Sequence, residues 1–186
     1  MTRNKADHWQ EVRDFWFTEL TPEDWFKKDD SFDQQLQDRF GDLVGDALGG
    51  RLDRWAEADQ SCLSLILLLD QMTRNIFRNQ PRAFAGDEFA LSLSLKGQAA
   101  GWIAAAKTLP ERQFWLMPMM HSEDLAVQDS SLPLFEKLTN EDIYGYAVRH
   151  RDIIARFGRF PHRNAILGRP SSTEEEAFLQ EPNSSF

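Results

Sequence analysis

At 186 residues the chain is long enough for one domain with a real core. Its hydrophobic content of 41% and aromatic content of 12% are those of a globular protein, not a disordered one. The net charge of -9 argues against a nucleic-acid surface, because phosphate binding needs a basic footprint.

The acid is unevenly spread. Residues 1–60 and the tail carry most of it, whereas 149–169 is basic, which suggests a local anion site on an acidic protein. Fourteen Phe and six Trp predict an aromatic-rich core. Cys62 is the sole cysteine, which leaves no intramolecular disulfide and no cysteine-based zinc site, and it reads as a core residue. The N-terminus M-T-R-N-K-A-D-H-W has no apolar signal region. The longest apolar run, Leu65 to Leu69, is too short to span a bilayer. A cytoplasmic protein with no membrane and no nucleic-acid partner is the expectation.

In chain order, Asp7 caps a first helix with Trp9, Val12, Phe15 and Trp16 on one face. Thr21-Pro22-Glu23-Asp24 is a helix-start signal, but only a short turn with Trp25 and Phe26 follows. Ser31 starts a longer helix whose Phe32, Leu36, Phe40, Leu43, Ala47 and Leu48 recur at helical spacing, ended by Gly49-Gly50. Asp59 or Ser61 begins a third helix, apolar nearly all round and therefore central, which the loop Asn79 to Arg82 breaks. Asp87 to Gly101 reads as a helix. Its L-S-L-S-L alternation also suits a strand, but a lone strand has no partner.

Pro110 starts a helix that Pro118 ends or kinks. Ser122 caps a helix to about Leu138, and Asn140 opens another through Phe157, with Gly158 as its stop. Pro161 starts a short helical turn to Leu167, and Ser172 or Thr173 caps a last helix. The pattern predicts an all-α fold, an antiparallel helical array in a single domain over 1–186. No repeat of about 34 residues stands out by consensus, although helix pairs of that size could stack as a right-handed solenoid.

Three polar stretches interrupt this pattern. His150 to Asn164 places two histidines, an aspartate, an asparagine and Arg151, Arg156, Arg159 and Arg163 among apolar residues. Arg and His suit planar anion recognition and proton transfer better than mere solubility. The others are Leu67 to Arg78 and Pro118 to Asp124, and the three read as walls of one polar pocket.

Each stretch also has a plain structural reading. His150 falls on the apolar face of its helix, as a satisfied core histidine would, while Asp152 and Arg156 on the other side suit an i,i+4 surface pair. Asp70 lies on the stripe Leu63, Ile66, Leu67, Asp70, Arg74, Phe77. A carboxylate there must be paired or protonated. It is either half of a buried pair with Arg74, or it orients an Arg or His, or it acts as a base. His121 precedes a helix N-terminus, a natural anion site, with Glu123 and Asp124 competing for it. His121, Glu123, Asp70, His150 and His162 are metal-ligand types, but no pair has the spacing of a helical metal motif, so no metal is assigned.

The blocks D-F-W-F, W-F-K-K-D-D-S-F-D, L-L-L-D-Q-M-T-R-N-I-F-R, P-R-A-F-A, M-P-M-M-H-S-E-D and H-R-D-I-I-A-R-F-G-R-F-P-H-R-N-A-I-L-G-R resemble the hallmarks of domain-of-unknown-function family 924. The resemblance spans about Val12 to Phe186 and departs at Met72-Thr73, where the family pattern has an aromatic followed by Pro. It implies a tetratricopeptide-like right-handed superhelix and supplies no catalytic assignment and no cofactor.

The expectation is then a pocket for a small anionic ligand. Arg74, Asn75, Arg78, Glu123, Arg159, Arg163 and Asn164 would bind it, and His121, His150 or His162 would move protons, with Asp70 setting their orientation. The alternative is a non-enzymatic scaffold that binds a peptide or protein.

Overall fold

Trp9, Val12, Phe15 and Trp16 draw the first helix onto the core. In the computed structural model, which describes residues 8–182, 184 and 185, α1 (His8–Asp14) continues as a π turn over Phe15–Glu19. Asp7, the expected cap, lies outside the described residues. The Trp25 indole donates to the Trp16 carbonyl at 2.8 Å and meets Phe114 edge-on, which closes the following turn over the helix end.

α2 (Asp30–Leu48) starts one residue before Ser31, because the Asp29 carboxylate is the stronger cap and accepts from the backbone of Ser31 and Phe32. It ends at Gly49 as expected, and Gly50 takes a left-handed φ of 70°. A 3-10 turn, Asp53–Glu57, buries Trp55.

α3 (Asp59–Ile66) is the central rod, buried on every side over Ser61 to Ile66. It runs without a break through a π segment, Leu67–Met72, into α4 (Thr73–Ile76). Nothing in the apolar periodicity foretells the π widening, which comes with the buried Asp70 and Gln71. After a 3-10 turn (Pro81–Phe84), α5 (Asp87–Ala99) settles the Leu-Ser alternation as a helix, with Ala90, Leu93, Ser94 and Gly97 facing inward.

Gly86 brings the start of α5 against the π segment. A Cβ there would lie 2.3 Å from the Leu69 carbonyl oxygen, a backbone atom that cannot swing away. Gly86→Ala should therefore lower the unfolding free energy by about 1–3 kcal/mol, the usual cost of overpacking, as read from the urea midpoint. An unchanged midpoint would show that the two backbones separate freely.

α6 (Trp102–Ala105) is a single turn. α7 (Leu109–Met120) opens with a capping box between Thr108 and Glu111, and Glu111 also pairs with Arg13 of α1. Pro118 neither ends this helix nor stops it short: the helix runs on to Met120, since so close to the C-terminus little hydrogen bonding remains to be lost. α8 (Leu125–Leu138) is capped by Asp124, not Ser122, whose hydroxyl instead accepts from the Asp124 N–H.

α9 (Glu141–Phe157) is capped by Asn140 and stopped by Gly158 at φ 69°. The 3-10 turn Pro161–Arg163 leads into α10 (Asn164–Leu167), and a Ser172–Glu175 capping box opens α11 (Thr173–Phe178). Among the described residues there is no strand, so the fold is all-α. No described helix is long and apolar enough to cross a membrane. α7 packs against α3, α5, α8 and α9, so its C-terminal end at His121 faces both the π segment and the last third of the chain.

Candidate functional site

Asp70 is 0% exposed. Its Oδ1 lies 2.8 Å from His121 Nδ1, and its Oδ2 accepts from the Gln71 amide at 2.5 Å. Arg74, one turn on, places Nη1 at 3.3 Å from Oδ1 and donates to the Asp70 carbonyl. Burial works to raise the carboxyl, but the Arg74 charge and the bonds from His121 and Gln71 outweigh it and hold it well below the usual carboxylate range. An ionised Asp70 only accepts, so Nδ1 of His121 carries the hydrogen and Nε2 is left as a lone-pair acceptor. Among the described residues nothing hydrogen-bonds Nε2. The side chain keeps 12% of its surface exposed. Burial and the Arg74 charge lower the His121 pKa against the pull of Asp70, which favours the neutral ring.

His121 terminates α7, and its turn is held from α8. The Gln128 amide donates to the Met120 carbonyl at 2.6 Å and the Ser122 carbonyl at 2.8 Å, the groups on either side. Arg163 Nη2 donates to the His121 carbonyl at 3.0 Å. The Arg163 guanidinium lies 4.7 Å from the ring centres of both Phe84 and Phe160. Its Nη1 is 3.2 Å from Asp87 Oδ2, but Asp87 already takes both ends of Arg74 at 2.9 and 3.0 Å. Arg163 Nε is buried with no hydrogen-bond partner among the described residues. Burial, then Arg74, pushes the Arg163 pKa down to about 10.

His150 and His162 complete the cluster. The His121 and His150 rings are 6.2 Å apart, and His150 meets Phe160 at 5.6 Å, interplanar 77°. His150 Nδ1 donates to the Tyr146 carbonyl at 2.8 Å. His162 lies on the other side of Phe160 at 5.6 Å. Burial, reinforced by His121, pushes the His150 pKa down to about 3, and burial with Arg163 pushes that of His162 down to about 4.

The three polar stretches thus meet through Asp70, Arg74, His121, His150, His162 and Arg163. The other expected ligand contacts lie in separate networks. Asn75 and Arg78 both bind Asp33 of α2, Arg78 through Nε and Nη2. Arg159 grips Glu175 with two bonds and the Pro170 carbonyl with a third. Glu123 accepts from Arg169 and from the Phe160 N–H, while Asn164 ties Arg169 to Ser171. The expected Asp152–Arg156 pair does not form: Asp152 bonds Arg151, and Arg156 bonds Glu174. Asp87, Phe84, Phe160 and Gln128 were not legible as site residues. Their partners are distant in sequence, and Asp87 looks like any acid in a first helical turn. Among the described residues, no group of three or more His, Cys, Asp or Glu side chains could hold a metal ion.

The family described as "Bacterial protein of unknown function", DUF924, matches residues 12–183. The chain belongs to DUF924. A solved structure of a protein of unknown function, ATU0120 from Agrobacterium tumefaciens, is similar at 38% sequence identity and a TM-score of 0.89. The match covers 96% of this chain and 100% of that one. No curated protein matches the chain.

Proposed function

We propose that the cluster around Asp70 and His121 binds a small anionic ligand, a carboxylate or phosphate, and transforms it by proton transfer. His121 is the proton-transfer group through Nε2, held in its tautomer by Asp70. Arg163, with Arg74 behind it, contacts the anion, and His150 and His162 lie beside it. One observation carries the reading. A partly exposed, neutral histidine oriented by a buried carboxylate stands next to a buried guanidinium whose Nε has no acceptor among the described residues. Structural ion pairs need no such histidine, and perturbed groups of this kind concentrate at functional sites.

The test is thermal unfolding against metals, phosphorylated metabolites and small carboxylates. A ligand at about 100 times its Kd adds about 2.7 kcal/mol to the native state and raises Tm. Arg163→Lys keeps the charge but loses the planar fork, so the shift should vanish while the variant stays folded. A shift unchanged in Arg163→Lys would remove the anion from this cluster.

A tetratricopeptide-like scaffold that binds a peptide is the second reading. One observation favours it: Arg151, Arg156, Arg159 and Arg169 each have a carboxylate partner already, as in a self-satisfied framework. A panel with no response at all would support it against the enzyme.

A further inference from the structure

The charges that face His121 are closely matched. Asp70 comes from the π segment, Arg74 from α4, Asp87 from the start of α5, and Arg163 from the 3-10 turn before α10. The two guanidiniums balance the two carboxylates, and Glu123, which also acts on Arg163 and His162, is matched by Arg169. The remaining titratable neighbours, His150 on α9 and His162 beside Arg163, are neutral. Gln128 of α8 contributes only an amide. An anion placed against Arg163 and Nε2 of His121 therefore adds an unmatched negative charge in a largely desolvated spot. Such a charge is costly there unless a positive one arrives with it.

Only the histidines can supply it, by taking a proton from solvent. Of the three, His121 is the one hydrogen-bonded to Asp70, at 2.8 Å. Its imidazolium would keep that bond through Nδ1–H and gain an N–H on Nε2, directed at the ligand. An imidazolium at His150 would instead face the positive charge of Arg163. Resting on the anion-site reading above, we infer that the site takes up its anion together with one proton, which is held on Nε2 of His121. The anion is thus bound as the equivalent of its neutral acid, and the same proton is then in place for donation to the bound molecule. The step balances: one solvent proton enters, no bond of the ligand breaks, and the local charge stays matched.

Linkage fixes the sign. Where His121 is neutral in the free protein and charged in the complex, affinity falls as pH rises, with Kd increasing about tenfold per pH unit. Calorimetric titration with formate and with acetate, both monoanions that stay ionised between pH 6 and 8, tests this, so that any proton taken up belongs to the protein. Repeating each titration in two buffers of different ionisation heat counts the protons. The expected result is about one proton per anion in the wild type and none in His121→Gln. Binding with the same Kd from pH 6 to 8 and no proton uptake would overturn the inference and leave the anion site standing. Uptake that survives in His121→Gln would overturn the assignment to His121. If neither anion binds the wild type at pH 6, the anion site falls and the inference falls with it.

Discussion

Asp70→Ala should cost about 3–5 kcal/mol of unfolding free energy, the loss typical of breaking a buried charge pair by removing one side. The carboxylate is fully buried, two donors converge on it, His121 Nδ1–H and the Gln71 amide, and the Arg74 charge lies 3.3 Å away. Alanine leaves the His121 N–H without an acceptor and the Gln71 amide with only the weak Met117 sulfur at 3.7 Å, and an orphaned buried donor keeps its whole desolvation cost. Arg74 fares better because Asp87 still holds both of its ends. Asp70→Asn separates charge from shape. It retains one acceptor oxygen but turns an N–H toward either His121 or Gln71, so its loss should be smaller, about 1–3 kcal/mol. If that N–H faces Nδ1, the hydrogen of His121 moves to Nε2 and the lone pair there is gone. Urea unfolding gives both free energies, and nitrogen chemical shifts of the ring report the tautomer. An Asp70→Ala protein within 1 kcal/mol of wild type would mean that the donors find other acceptors, and the carboxylate could no longer be called the organiser of the cluster.

The fold was largely legible because helical periodicity, capping and glycine stops are local signals. Asn140, Gly158 and Ser172 mark ends where the structure has them. Local chemistry also explains the shifts at Asp29 and Asp124, where an aspartate one or two residues from the expected serine is the better cap. The site was legible in part for a different reason. Asp70 and His150 are polar residues on apolar stripes, and a polar group that must be buried has to meet other polar groups. That argument names the residues but not their partners.

It also misleads where charge is summed along the chain. The basic run 149–169 suggested an anion site as a whole. In the fold, Arg151 meets Asp129, Arg156 meets Glu174, Arg159 meets Glu175 and Arg169 meets Glu123. Those four arginines fasten the end of the chain to itself, to α8 and to the turn before it. Arg163 stands apart from them because its carboxylate, Asp87, is shared with Arg74 and its Nε meets nothing among the described residues. No sequence window could separate the one arginine from the four.

The same buried histidines make the protein acid-sensitive at a pH where its carboxylates are still ionised. In the unfolded chain His150 and His162 titrate near the ordinary value of 6.5, whereas in the fold they are pushed down to about 3 and about 4. The unfolded state therefore binds more protons throughout that interval, and stability is complete above pH 6.5 and lost as pH falls through it. Each pH unit below 6.5 costs about 1.4 kcal/mol per fully shifted group, so the pair should remove about 3–4 kcal/mol between pH 7.5 and pH 5. His121, lowered in the same direction, adds to the loss. Asp70 does not contribute there, because its carboxyl lies well below the usual range and protonates only at much lower pH. His150→Gln should shrink the difference in unfolding free energy between pH 7.5 and pH 5 by about 2 kcal/mol, whatever it does to stability at pH 7.5. An undiminished difference would mean that His150 opens to solvent and protonates without unfolding. In that case the ring is not held against Phe160 as the structure has it, and the three histidines do not form one closed cluster.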